Sequence, residues 1–256
     1  MIDPVAPPAL QSQNLYAVAS GKGGVGKTWF SITFCHALAQ LGKRVLLFDG
    51  DFGLANVDIQ LGLTPEKDLA HFTEGNLKIE EIIVPYAKGA FDIVAGRSGS
   101  GNLASLPTDK LVNMRSSLLG IAPRYDYVFV DLGAGVEKAT RQMAGAAKAT
   151  FVVVTDEPTA LTDSYAFIKL MLAGNPKADL RIVVNMATSL MEGSKTYETL
   201  KKVCETFLGY TPKLGGIIHR DRYVRETIRA QTSLLTRFPS AQASLDITQM
   251  AQTFLE

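Results

Sequence analysis

Apolar residues in this chain fall into short unbroken runs, separated by stretches in which they recur every three or four positions. The runs Tyr16 to Ser20, Arg44 to Phe48, Phe91 to Val94, Tyr127 to Val130, Phe151 to Thr155, Arg181 to Val184 and Leu214 to Ile218 have the length of buried strands. Continuous runs, unlike alternating ones, fit strands covered on both faces. Helical spacing marks Trp29 to Leu41, which stops at Gly42, and then Thr108 to Leu119, Glu137 to Lys148, Thr159 to Leu172 and Lys195 to Leu208. The alternation predicts an α/β fold with a mainly parallel sheet and helices on both faces. Ligands on such a sheet bind at the carboxyl ends of the strands.

The chain has 256 residues, with 26 Lys+Arg against 25 Asp+Glu. That length suits one domain, expected over residues 15 to 256. Met1 to Asn14 holds Pro4, Pro7 and Pro8 and no basic side chain, so it reads as a flexible tail and not as a targeting segment. Balanced charge excludes a globally basic nucleic-acid or membrane binder. No apolar run approaches the roughly 20 residues of a membrane span. Cys35 and Cys204 have no metal-spaced neighbour and read as core thiols of a cytoplasmic protein. Arg97 to Gly101 reads as a flexible loop.

The chemistry concentrates after the first strand, at Gly21-Lys-Gly-Gly-Val-Gly-Lys-Thr28. Gly21, Gly26, Lys27 and Thr28 fill the phosphate-loop pattern, and the strand before it and helix behind it supply the required context, that of a P-loop NTPase-type fold. Backbone N–H groups over Gly21, Lys22, Gly23, Gly24, Val25, Gly26, Lys27, Thr28 and Trp29 would cradle phosphates at a helix N-terminus. Lys27 would reach the β- and γ-phosphates of ATP or ADP and the Thr28 hydroxyl would ligate Mg²⁺. Lys22, at the start of the loop, cannot serve those phosphates as Lys27 does; it either reaches something else or is a solvated loop lysine.

Asp131, at the end of an apolar strand and before Gly133 and Gly135, stands where such loops place the aspartate that holds Mg²⁺. Asp49 and Asp51 close another strand, as metal-site carboxylates or as turn caps. Val183-Val-Asn185-Met-Ala-Thr188 lacks the Asn-Lys-x-Asp carboxylate that selects guanine, so Asn185 points to adenine. His219-Arg-Asp221 should form the other wall of the base pocket, with Asp221 as a nucleotide contact and His219 as a packing or capping residue. Arg222, Arg225 and Arg229 fall at i, i+3 and i+7, a stripe for an acidic protein, anionic lipid or DNA, or a solvated face. No aromatic interleaving supports sequence-specific nucleic-acid readout.

The loop's second lysine resembles the deviant phosphate loop of the MinD/ParA family of ATPases. That resemblance implies a homodimer formed with ATP, in which Lys22 crosses to the partner's phosphates, and Asp51 positions or deprotonates the attacking water while Asp49 and Asp51 support the magnesium shell. It assigns Lys22, Lys27 and Asp51 to catalysis and Thr28, Asp49, Asp51 and Asp131 to the metal. The segments Asp51 to Leu63, Thr155 to Tyr165 and Arg220 to Glu226 are similar to the flagellar-number branch, the FlhG or FleN proteins. That branch implies flagellar partners: the targeting GTPase FlhF, switch-ring proteins or a transcription regulator. It places Glu157 and Asp163 near the dimer face; a plain helix N-terminus capped by Thr159 is the other reading. The tail has no Asp-Gln pair and no lysine or arginine, which counts against activation of FlhF by an N-terminal segment. Leu245, Ile247, Met250, Ala251, Phe254 and Leu255 make an apolar face on a C-terminal helix; without basic residues after Arg237 it is expected to dock on the core, peripheral membrane contact being the alternative. ParA-like DNA or cargo partitioning and a MinD-like role in division-site selection are the competing functions. An iron–sulfur carrier is disfavoured because no cysteine cluster exists.

Overall fold

The computed structural model describes residues 13–51, 53–96 and 107–256. In chain order the strands and α-helices are β1 (Leu15–Ala19), α1 (Lys27–Gln40), β2 (Val45–Gly50), α2 (Val57–Leu61), α3 (Leu69–Thr73), β3 (Ile83–Tyr86), β4 (Phe91–Val94), α4 (Thr108–Ile121), β5 (Tyr127–Leu132), α5 (Lys138–Ala144), β6 (Ala149–Val154), α6 (Pro158–Gly174), β7 (Leu180–Ala187), α7 (Leu190–Leu208), β8 (Lys213–His219), α8 (Arg222–Arg229), α9 (Leu234–Arg237) and α10 (Gln242–Leu255). One sheet holds all eight strands in the order β3-β4-β2-β5-β1-β6-β7-β8. Every pairing is parallel except β3 with β4.

The unbroken apolar runs are explained by cover on both sides. On β8, a Cβ at Gly216 would meet Met250 of α10, whereas Ile217 packs on Gly193 of α7. Successive residues of a strand face opposite ways, so α7 and α10 lie on opposite faces. On the α10 side, Tyr16 of β1 sits in register with Phe129 of β5, their rings 5.4 Å apart. Phe254 of α10 closes this cluster, 5.0 Å from Tyr16, 5.9 Å from Phe151 and 5.6 Å from Phe34 of α1. The C-terminal helix is thus docked on the core, as its uncharged apolar face suggests. No helix among the described residues is long and apolar enough to cross a membrane.

Four differences from the sequence reading have local causes. The antiparallel β3 goes unread because Pro85 interrupts Ile-Val-Pro-Tyr; a proline is tolerated there since β3 is an edge strand. Helix α5 stops at Ala144, before the expected Lys148, because tight turns Ala146 N–H to Met143 O and Ala147 N–H to Ala144 O unwind it. Those turns let Lys148 N–H reach Leu15 O and start β6. Helix α7 starts five residues early, at Leu190, because the Ser189 side chain caps it by accepting the Glu192 N–H at 3.2 Å. The expected tail lies outside the described residues through residue 12; Asn14 is anchored, its side-chain amide donating to Ala122 O and Tyr125 O. Arg97 to Gly101 lies outside the described residues.

Replacing Phe254 by alanine removes the aromatic keystone between α10, α1 and the sheet. The expected cost is about 3 kcal/mol of stability, read as a lowered urea midpoint at unchanged slope. A midpoint equal to wild type would show that the Phe254 ring contributes nothing to the core.

Candidate functional site

The site forms where β1, β2, β5 and β6 end. Gly26, with φ 88°, turns the loop into α1, whose first residue is Lys27. The Asn185 side-chain amide at the end of β7 donates to Val25 O at 2.8 Å and so braces the loop from beside it. A Cβ at Gly26 would lie 2.3 Å from that same amide nitrogen, so the glycine is required by packing as well as by its φ. Next to Asn185, Met186 holds φ 60°, a strained conformation for a side-chain-bearing residue, and such strain gathers at functional sites.

Lys27 is buried and its Nζ lies 3.3 Å from Asp131 Oδ1. Asp131 also accepts from the Ser31 hydroxyl at 2.9 Å. Ser31, one helical turn beyond Lys27, was not singled out from the sequence; only its i+4 position on α1 could have marked it. The second oxygen, Asp131 Oδ2, is buried and without a hydrogen-bond partner. Asp49 is the register partner of Asp131 across β2 and β5, and is equally buried. Burial, and then the neighbouring Asp131 charge, push the Asp49 carboxyl from 3.8 up to about 7. Two buried carboxylates with one lysine and one orphaned oxygen fit a divalent cation. Among the described residues no three His, Cys, Asp or Glu cluster into a metal cage. A Mg²⁺ bound with phosphates needs none, since water and phosphate oxygens complete its shell. Thr28, the next residue after Lys27 at the start of α1, is half-buried.

The capping readings of the β2 aspartates are also realised. Asp49 Oδ2 accepts from Asn56 and Val57 N–H, both at 3.1 Å, and so starts α2. Asp51 Oδ1 accepts from Gly53 and Leu54 N–H, at 3.3 and 3.0 Å. A Cβ at Gly133 would lie 3.3 Å from Asp51 Oδ1, so the loops after β2 and β5 touch. Gly135 N–H donates to Ser20 O at the start of the phosphate loop. The three loops are therefore tied to one another.

Lys22 leaves the cradle sideways. Its Nζ lies 2.5 Å from Glu157 Oε2 and donates to Thr159 Oγ1 at 2.8 Å, both at the start of α6. Glu157 has no side-chain capping bond to α6 and stays 60 % exposed, and the hydrogen bond from Lys22, and then its charge, hold the Glu157 carboxyl below the usual range. Thr159 is therefore a Lys22 partner and not the helix cap. A Cβ at Gly21 would come within 2.2 Å of the Asp163 backbone, so α6 rests directly against the loop. Gly23 and Gly24 are exposed at the loop's mouth, while the Trp29 side chain is buried behind it.

At the other wall, Asp221 Oδ1 accepts from Tyr223 N–H at 2.9 Å and Oδ2 from Ala243 N–H at 3.3 Å. His219 pairs with Asp246, its Nδ1 2.9 Å from Oδ2. Both residues thus serve local structure. The structure brings together Lys27, Asp131, Asp49 and Asn185 with the loop, and places Lys22 and Asp221 in contacts outside the cradle.

Residues 16–235 match the CobQ/CobB/MinD/ParA nucleotide binding domain. The chain is 37 % identical to the antiactivator FleN of Pseudomonas aeruginosa over 92 % of its own length and 84 % of that protein's. It is 34 % identical to the flagellum site-determining protein YlxH of Helicobacter pylori, covering 82 % of this chain and 72 % of the other. Among solved structures, the MinC:MinD cell division protein complex of Aquifex aeolicus superposes with a TM-score of 0.78 at 25 % identity, over 94 % of this chain and 96 % of that one.

The raised Asp49 carboxyl has a measurable sign. Protonated Asp49 favours the fold, and this contribution is lost as pH rises from about 4 through about 7. His36, pushed down to about 4 by burial, acts oppositely at the acid end, so the difference between wild type and Asp49→Asn isolates the carboxyl. In nucleotide-free urea titrations, Asp49→Asn is expected to gain stability over wild type from pH 5 to pH 8. A constant difference across that window would refute the buried-charge account.

Proposed function

Because the chain belongs to the CobQ/CobB/MinD/ParA nucleotide-binding family, we propose that it is an ATP-dependent dimerising switch with slow hydrolysis, acting on flagellar number and placement. The observation that carries the reading is the place of Lys22, drawn away from its own cradle onto an exposed carboxylate at the mouth of the site. A cation so placed is available to a second copy. In the ATP state Lys22 leaves Glu157 and meets the triphosphate of the facing subunit, as an arginine finger does, and Glu157 is released as a reporter of dimerisation.

With ATP bound, Lys27 would exchange Asp131 for phosphate oxygens, and Asp131 and the Thr28 hydroxyl would be the groups to hold Mg²⁺. Bound Mg²⁺ supplies charge neutralisation at the phosphates. Asp51 turns from its own loop amides to orient the attacking water. Because Asp49 and Asp51 hold the turn into α2, and Asp51 touches Gly133, the loops after β2 and β5 respond together. ADP in place of ATP loosens them and the dimer separates. The surface made in the ATP state binds the flagellar partner: the targeting GTPase FlhF, a switch-ring protein or a transcription regulator.

A second reading, DNA-coating partitioning, draws on α8. Arg222, Arg225 and Arg229 lie exposed along it, and Arg225 and Arg229 have no hydrogen-bond or ion-pair partner among the described residues. Nonspecific DNA binding that weakens steeply with salt and disappears in the triple Arg→Ala variant would favour it over the flagellar role.

The switch is tested by sedimentation with ATP, ADP or no nucleotide. Wild type is expected to dimerise with ATP, Asp51→Ala to stay dimeric because hydrolysis fails, and Lys22→Ala to bind ATP as a monomer with turnover lower by on the order of 10³. An ATP-dependent dimer in Lys22→Ala with wild-type turnover would overturn the transfer of this lysine.

A further inference from the structure

We infer that α10 positions the wall of the nucleotide-base pocket, and that Asp246 is the side chain through which it does so; the inference rests on the ATP reading of the site. On that reading the base is received at the ends of β7 and β8, between Asn185 and the segment His219 to Asp221. The walls meet where Arg220 N–H donates to Ala187 O at 2.8 Å. Past that bond β8 has a strand neighbour on one side alone among the described residues, because it is an edge strand of the sheet. Such strand ends open easily unless something else ties them.

Helix α10 supplies the ties. Asp246 Oδ2 accepts the His219 N–H at 2.8 Å and lies 2.9 Å from His219 Nδ1, with the Asp246 side chain only 9 % exposed. Its other oxygen accepts from Gln242 Nε2 at 2.9 Å, which orients the carboxylate. One turn earlier, Ala243 N–H, an amide at the helix start with no partner inside the helix, donates to Asp221 Oδ2. The chain therefore leaves the pocket at His219, runs through α8 and α9, and returns to fasten the point of departure. Along the way the Gln231 side-chain amide donates to Ile59 O of α2, so the same excursion touches the turn built by Asp49. The far end of α10 is fixed by Phe254 in the aromatic cluster and by Met250 against Gly216.

The phosphate cradle itself makes none of the bonds to Asp246 or Ala243. It is built from the start of α1 and braced by Asn185 on Val25 O. Loosening α10 at Asp246 should therefore weaken recognition of the base while sparing recognition of the phosphates, a separation that general destabilisation does not produce.

Calorimetric titration of wild type and Asp246→Ala with Mg·ATP and with Mg·inorganic triphosphate reads this directly. The expected result is ATP affinity weakened at least about tenfold, the scale of a charged hydrogen bond lost, with triphosphate affinity changed less than about twofold. If Asp246→Ala does not fold, Asp246→Asn, which keeps the volume and removes the charge, is expected to shift the same ratio in the same direction. Equal weakening of both ligands, or no weakening of either, overturns the positioning role. A wild-type chain that binds neither ligand overturns the ATP reading itself.

Discussion

Two carboxylates facing each other across neighbouring strands, with one lysine to answer them, set the terms for the whole site. Asp49 and Asp131 are register partners in the centre of a sheet covered on both sides. Lys27 is the only cationic side chain paired with either of them among the described residues. Removing charge from water on this scale is costly unless it is compensated, and here the compensation is incomplete by one unit. Asp49 meets the deficit by favouring its protonated form and by collecting backbone amides from the turn before α2. A cation at Asp131 would change that balance at its source. The turn is therefore sensitive to whatever neutralises the pair.

The remaining loops inherit this sensitivity through short contacts. Asp51 reaches toward Gly133, Gly135 reaches back to Ser20, and Gln231 ties the excursion after β8 to α2. The geometry is one of local hydrogen bonds between loop backbones, with the strands beneath them fixed by an aromatic and aliphatic core. Rigid strands under interlinked loops allow small changes at the phosphates to reach a wide surface.

Much of this was legible in the residues. The phosphate loop, the strand-end aspartates and the alternation of strands and helices follow from spacing, because each reflects a local requirement. Long-range partnerships were not legible. Ser31 looks like any helical serine until α1 packs beside β5 and its hydroxyl meets Asp131. Asp221 reads as a nucleotide contact, yet its oxygens go to Tyr223 and Ala243, one of them 22 residues away. The edge strand β3 was hidden by its proline, whose cost depends on which neighbour the strand has. Glu157 was read as a helix-start or interface residue; its hold on Lys22 bridges 135 positions and required the tertiary fold to be seen.

Helix α1 is enclosed on nearly every side. Eleven of its residues are buried, including Ser31, Thr33 and His36, which on a peripheral helix would face water. His36 meets Ser233 across from α9, and Phe34 is wedged between Phe129, Phe151 and Phe254. A rod so confined can neither slide nor rotate without breaking contacts on all its flanks at once. It behaves as a fixed axle, and the work done by a bound nucleotide must appear at the rim of the molecule instead of along its central shaft.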